Sequence, residues 1–440
     1  MAIVSIFSRK RYKGFLLFCI FIFLNLFYMQ KYIILLILSI LNASYGFSQN
    51  KKVVKDSTFQ TLHLTNQDYK DFVVDREKKN IWAITQNNEL VVINLNTLAL
   101  DTQIEKLANV ACISQSKKDS QILIGTLDKQ IKKYNRLKQE WEIVATEQHT
   151  IQQAFETTNG EIFYLFDEGI RKVGDSTLYQ FDCEDFFSVM RQISCMDNRQ
   201  SLIKYLKRNI SVNYIDDKNR IWLGYDFGEW GGDMLLFDTK KKDFCQLDTS
   251  KSLYLVMNPV RQIFDNQIDI LFIINSISHM GMTNSNIFFI DSLDKITSIT
   301  YDGEFEVFID SIDINFDKLG KRKQKHLTDS LMNVTRRKRK EDVNENEYMG
   351  AGAYNPTDSS LYFYSHHGFF KGYLKDDLTK LKNWQLIINP ALKWDWGMPH
   401  AVGSPMNVYK MEMIGNESFV FGSTKNGIGY FDGKKLIMVR

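Results

Sequence analysis

The chain has 440 residues, 55 Lys and Arg against 52 Asp and Glu, a formal net charge of +3, 44% hydrophobic and 13% aromatic residues, and only 5 prolines. This composition excludes a disordered or low-complexity chain and supplies ample side chains for a large core. So small a charge excludes global attraction to nucleic acid.

Two apolar runs open the chain, 14–28 behind Arg9, Lys10, Arg11 and Lys13, and 32–41 behind Met29-Gln-Lys. The second run alone has the anatomy of a secretory signal: a short positive start, an apolar core, and small residues Ser44/Gly46 or Gly46/Ser48 at cleavage spacing. Met29 is therefore the expected start, residues 1–48 the expected signal peptide, and an extracytoplasmic address, periplasmic or secreted, follows. The alternative is a membrane anchor reading through 16–41, which Asn25, Gln30 and Lys31 interrupt. Membrane contact is expected only through such an uncleaved segment. Removing residues 1–48 takes away five Lys and Arg and no acid, leaving a net charge of −2 on residues 49–440. The four cysteines that remain, Cys112, Cys183, Cys195 and Cys245, allow three pairings in an oxidising compartment, with Cys183–Cys195 the most local. Cys112, in VACIS, also reads as a small buried hydrophobe.

Beyond residue 70 one pattern recurs: an apolar strand, a turn of Asp, Asn, Lys or Gly, a strand carrying a large residue, a second turn, and another strand. The middle strands read NIWAIT (80–85), QILIGT (121–126), EIFYLF (161–166), RIWLGY (220–225), DILFII (269–274), SLYFYS (360–365) and ESFVFG (417–422). Aligned at Trp82, Leu123, Phe163, Trp222, Leu271, Tyr362 and Phe419, they stand 41, 40, 59, 49, 91 and 57 residues apart. The first two intervals match a four-stranded propeller blade of roughly 40–45 residues. Radial stacking buries the faces that one small sheet leaves open. The expected fold is all-β, a seven-bladed β-propeller over 49–440. Longer intervals hold insertions at 182–210 and 301–350, the latter with a charged helical stretch around 317–346. An eighth blade inside the interval of 91, with strands in 304–314, is the alternative. Either the C-terminal strands GIGYFD and KKLIMV complete the last blade unaided, or TFQTLHL (58–64) closes it from the N-terminus.

DDKNRIWLGY, FGSTKNGIGYFDGKKL (421–436) and SQILIGT together resemble the two-component regulator propeller repeat. That repeat combines an Asp/Asn-Gly turn, an Ile-Trp-hydrophobic-Gly-Thr strand and a Gly-Leu or Gly-Ile turn. The resemblance implies the propeller fold and a sensor-like, ligand-binding role in an extracytoplasmic domain. No kinase or DNA-binding part of such regulators is recognised. Sialidase, WD40 and kelch signatures are missing as well.

In an up-and-down blade, the loop between strands two and three and the connection to the next blade emerge on one face. DFGEWGGD (226–233), NSISHMGMTNSN (275–286) and SHHG (365–368) are loops of the first type, and both insertions and PALKWDWGMPHAVGSPM (390–406) are of the second. Elaboration confined to one face marks a binding face. Tyr225, Trp230, Trp394 and Trp396 suit stacking on a sugar or other flat ligand, with Asp226, Glu229, Asp233, Asp395 and His400 as polar partners. Asp226 and Glu229 are the obvious pair for glycoside acid/base chemistry. His279, His366, His367 and His400 have metal-binding or proton-transfer chemistry, yet adjacent histidines in a turn are ordinarily solvated, so no metal and no cofactor is expected. The stretch 317–342, with ten Lys and Arg against four acids, reads as a solvated charged helix. A non-catalytic propeller binding a ligand, a glycan among the candidates, or a protein partner is the expected function. A carbohydrate-active enzyme, lyase or glycosidase, and a membrane-tethered interaction protein are the alternatives.

Overall fold

Each of the seven repeat strands read from the sequence is the second strand of an antiparallel sheet whose strands follow one another in chain order. The computed structural model describes residues 59–65, 67–182, 185–187, 210–247, 258–279, 282–301, 341–393 and 407–440. The N-terminal signal-like segment, the charged stretch 317–340 and most of both insertions lie outside these residues. Blade 1 consists of Tyr69–Asp75, Asn80–Thr85, Leu90–Asn94 and Ala99–Leu100; blade 2 of Val110–Gln115, Ile122–Thr126, Gln130–Asn135 and Glu140–Thr146. Blade 3 is Gln153–Glu156, Ile162–Phe166, Gly169–Lys172 and Leu178–Tyr179; blade 4 is Ile210–Ile215, Arg220–Asp226, Gly232–Asp238 and Asp243–Cys245. Blade 5 comprises Val260–Asp265, Leu271–His279, Met282–Ile290 and Ile296–Ser298; blade 6 comprises Met349–Asn355, Ser360–Ser365, Gly368–Tyr373 and Gln385–Ile388. Blade 7 is Val408–Met413, Phe419–Ser423, Gly427–Phe431 and Leu436–Val439.

The core lies between blades. Seven hydrophobic clusters join blades 1 and 2, 2 and 3, and so on around to 7 and 1. The seventh, joining Tyr69, Phe72 and Ile81 to Val420, Ile428 and Val439, closes the ring. Phe264, Phe272 and Ile274 of blade 5 pack directly on Met349, Leu361 and Phe363 of blade 6. No blade stands between them, and the propeller has seven blades. Burying a Trp or Phe in such a layer stabilises by roughly 2–3 kcal/mol per side chain. That is why the second strands carry Trp82, Phe163, Trp222, Tyr362 and Phe419, all nearly inaccessible.

The turn before a second strand explains the repeat motif. In DDKNRIW, the Asp216 carboxylate accepts from the Arg220 backbone N–H and Nε, each at 2.8 Å, and from Trp222 Nε1 at 2.9 Å. The acid satisfies the one polar atom of a buried indole. Gly224 belongs to the packing of the repeat: a Cβ there would lie 2.6 Å from Val260 Cβ on the next blade.

Closure uses both ends of the chain. The C-terminal strands fill all four positions of blade 7, and Gln60–Leu62 adds a fifth, parallel to Ile437–Val439. Blade 5 departs from expectation: within 275–286, read as a loop, the strands run on to His279 and from Met282, which pair with each other in a long hairpin. Cys112, buried, and Cys245 are free thiols; Cys183 and Cys195 lie outside the described residues. Among the described residues no helix is long and apolar enough to cross a membrane.

Candidate functional site

The first strands surround the propeller axis and enclose a cavity of 610 Å³, whose wall includes residues from all seven blades. Each first strand runs from the face of the strand-two-to-three loops, here the upper face, to the lower one. In six blades its upper end carries a register irregularity, for example between Tyr69 and Asp71, Ile210 and Val212, Val260 and Gln262, and Val408 and Lys410. An extra residue there leaves the ladder and is re-aimed. Lys70, Ser211, Arg261 and Tyr409 occupy these positions, and all four line the cavity.

At the upper end, Arg261 is held from three sides. Its guanidinium bonds Asp226 of blade 4, Ser276 Oγ and carbonyl at 3.0 Å each, and the Tyr348 hydroxyl of blade 6 at 2.8 Å. Burial opposes this charge, but Tyr348 and Asp226 outweigh it and raise the guanidinium above its ordinary pKa. Halfway down, Gln262 links three blades. Its amide donates to the Met411 carbonyl at 2.8 Å, while its oxygen accepts from the Met411 and Gly352 N–H groups at 3.1 Å each. Lys410 reaches Asp71 at 3.2 Å across the closure between blades 7 and 1. Lys70 differs from these: its ammonium meets two neutral oxygens, Asn88 Oδ1 and the Val110 carbonyl, and burial pushes its pKa below the ordinary lysine value.

At the lower end, Lys117 of blade 2 crosses to Asp217 (2.8 Å) of blade 4 and Asp265 (3.1 Å) of blade 5, and the Tyr214 hydroxyl donates to Asp265. Burial works against both charges. Lys117 is nevertheless raised, chiefly by Asp265, and Asp265 is lowered, chiefly by Lys117. The signs follow from linkage. Asp265 contributes stability that is complete above the ordinary carboxylate value of 3.8 and is lost as pH falls through its depressed folded value. Lys117 contributes stability complete below 10.5 and lost as pH rises through its raised folded value. Asp265→Asn should therefore flatten the fall in melting temperature below about pH 4, and Lys117→Met should flatten the alkaline limb. Melting curves against pH that match wild type on both limbs would refute the cross-channel pair.

The residues singled out from sequence are spread over several environments. Tyr225 and Asp233 are fully buried; the Tyr225 ring stacks on Phe227 with centroids 5.8 Å apart. Burial, with the nearby Asp233 charge, pushes its phenol far above the ordinary range. Asp226 accepts from the Gly228 N–H at 2.8 Å as well as from Arg261, so both its oxygens are engaged. Trp230, 75% exposed, stands at the tip of the hairpin. There a 3-10 turn spans Gly228–Trp230, Gly231 takes φ +89°, and Gly232 leaves room for the Asn258 carbonyl, 2.4 Å from where a Cβ would sit. The Glu229 side chain lies outside what is described, as do Trp394, Trp396 and His400. The channel residues Lys70, Lys117, Arg261 and Gln262 were missed by sequence reasoning. The regular spacing of first strands ahead of each motif was the available signal.

Fold and site together define a seven-bladed β-propeller with a polar axial channel. No protein-family model and no curated protein matches the chain. Among solved structures, it is similar to the β-propeller domain of Cps50 (Swd1) from Myceliophteria thermophila, at 8% identity and TM-score 0.47, over 83% of this chain and 97% of that one. It is also similar to the extracellular domain of a protein described as a hybrid two-component system from B. thetaiotaomicron, at 13% identity and TM-score 0.44. That match covers 86% of this chain and 39% of the other.

Proposed function

We propose that this protein is an exported, non-catalytic binding propeller that takes a small anionic ligand at the upper end of its axial channel, an acidic glycan fragment being the first class to test. The carrying observation is Lys70, an ammonium at the channel wall hydrogen-bonded to neutral oxygens and held below its ordinary pKa by burial. An anion beside it would offset that desolvation. Of the cations on the cavity wall, Lys117, Arg261 and Lys410 are answered by Asp217 and Asp265, by Asp226 and by Asp71, whereas Lys70 hydrogen-bonds neutral oxygens. The cavity volume of 610 Å³ lies within the range of small-molecule sites. Export is supported by the signal-like pattern of residues 29–48. Glycosidase chemistry on Asp226 is disfavoured because Arg261 and Gly228 N–H already occupy its carboxylate.

Titration calorimetry with neutral and uronic-acid oligosaccharides tests the reading, with released reducing ends measured in parallel. Binding of acidic members only, weakened about tenfold by Lys70→Met, is the expected result, about 1.4 kcal/mol for one charge-assisted contact. Equal affinity for neutral sugars, or none for any anion, would refute it. Release of reducing ends would overturn the non-catalytic part. Recovery of the natural protein with an intact Met1 in the cytoplasmic fraction would overturn export.

A further inference from the structure

We propose that Glu347, His366 and His367 form a binding site for a divalent transition cation of the Zn²⁺ class, on the upper face of blade 6. Candidate ligand atoms of the three side chains all lie within 4.8 Å of one another. The two imidazoles come from the two-residue turn between Ser360–Ser365 and Gly368–Tyr373, where Ser365 pairs with Gly368. The carboxylate comes from the residue that ends the helical turn Val343–Asn346, just ahead of the inner strand of that blade. Two separate pieces of chain thus bring three donors together.

The carboxylate is set in place. Its side chain is only 4% exposed, and the Ser365 hydroxyl donates to Glu347 Oε2. The same hydroxyl oxygen accepts the His367 backbone N–H at 3.0 Å, so one serine orients both the acid and the histidine turn. Although more than half of the His367 side chain is exposed, its Nδ1 turns back to stand 3.1 and 3.0 Å from the two oxygens of Glu347. The His366 ring lies beside it, centroid to centroid 3.7 Å.

Zinc bonds of about 2.0–2.2 Å place tetrahedral ligand atoms about 3.4 Å apart. The His367–Glu347 separations of 3.0 and 3.1 Å fall within about 0.4 Å of that spacing, and the candidate ligand atom of His366 lies within 4.8 Å of both partners, so binding requires the side chains to adjust around the ion. Two imidazoles and a single carboxylate suit Zn²⁺, Co²⁺, Ni²⁺ or Cu²⁺. Ca²⁺ and Mg²⁺ demand more oxygen ligands than these residues offer. Three protein ligands leave a coordination position for water or for a donor atom of a molecule docked on this face. The site is independent of the anionic-ligand reading, whose residues it does not use.

The test uses untagged, chelator-treated full-length protein titrated with Zn²⁺ in a calorimeter and with Co²⁺ in a spectrophotometer. Expected are one saturable Zn²⁺ site per chain, excluding Mg²⁺, and visible Co²⁺ absorption of a low-coordinate centre. Glu347→Gln, His366→Ala and His367→Ala should each weaken binding about 100-fold, and Ser365→Ala about tenfold through loss of the orienting hydroxyl. His367→Asn replaces any of these that fails to fold. Absence of saturable Zn²⁺ and Co²⁺ binding by wild type would overturn the proposal, as would affinity unchanged in folded ligand variants.

Discussion

Replacing Gly427 with alanine is expected to destabilise the propeller by about 3 kcal/mol, from two separable costs. Gly427 begins the third strand of blade 7 at φ +85°, and a Cβ there would lie 2.1 Å from the Val439 carbonyl oxygen of the fourth strand. Forcing an L-residue into that conformation costs about 1–2 kcal/mol. Moving the carbonyl aside strains the ladder for about 1–2 kcal/mol more. The displacement would be felt at the closure, because Val439 also pairs with Leu62 of the N-terminal strand. Gly169 and Gly368 repeat the geometry in blades 3 and 6, with φ of +150° and +120° and carbonyls 2.3 and 2.4 Å from the Cβ position. Gly174 is the control: φ is +78°, but nothing lies within 4 Å, so alanine there incurs only the conformational part, about 1 kcal/mol. Urea midpoints at constant m report the difference. Equal midpoints for Gly427→Ala and Gly174→Ala would show that the carbonyl contact does not matter.

The blades were legible because each second strand is buried on both faces, giving a dense apolar run between turns of fixed chemistry, such as the Asp216 turn feeding Trp222. Seven runs became seven blades, and blades 5 and 6, which flank the interval of 91, pack directly on each other. Closure was less legible, since a three-residue strand, Gln60–Leu62, has too little sequence to distinguish it from any extended segment. The blade 5 hairpin was misread for a different reason. Its Asn275, Ser276, Ser285 and Asn286 are polar, and polar runs read as loops, yet all four are fully buried. Hydrogen bonds satisfy part of that polarity: Arg261 bonds Ser276, the Ser285 hydroxyl accepts the Met349 N–H of blade 6 at 3.0 Å, and Asn286 donates to Asn284 on its own strand at 2.8 Å. The channel was hidden because bulges change which residues of the first strands face the axis, and a bulge leaves no mark in hydrophobic periodicity. The segment 226–233 does join the second and third strands of blade 4, but the partner of Asp226 lies 35 residues away on another blade.

Asp226→Ala should lower stability by about 3 kcal/mol, whereas Trp230→Ala, four residues along the same hairpin, should change it by less than about 0.5 kcal/mol. The contrast comes from what each side chain touches. Trp230 is three-quarters exposed. Asp226 neutralises an Arg261 side chain that is 9% exposed, and removing the acid leaves that cation with only the neutral oxygens of Ser276 and Tyr348. Leaving a buried charge uncompensated costs more than the intact pair contributes. Arg261→Met should consequently be milder than Asp226→Ala, because Asp226, one-fifth exposed, regains water. The double variant should then lie above the sum of the single losses by about 2 kcal/mol of coupling. A double-mutant cycle in urea measures this directly. Additive losses would mean that the inter-blade clamp contributes nothing. Unchanged stability in Asp226→Ala, accompanied by lost ligand affinity, would return the carboxylate to the binding role that its place in DFGEWGGD first suggested.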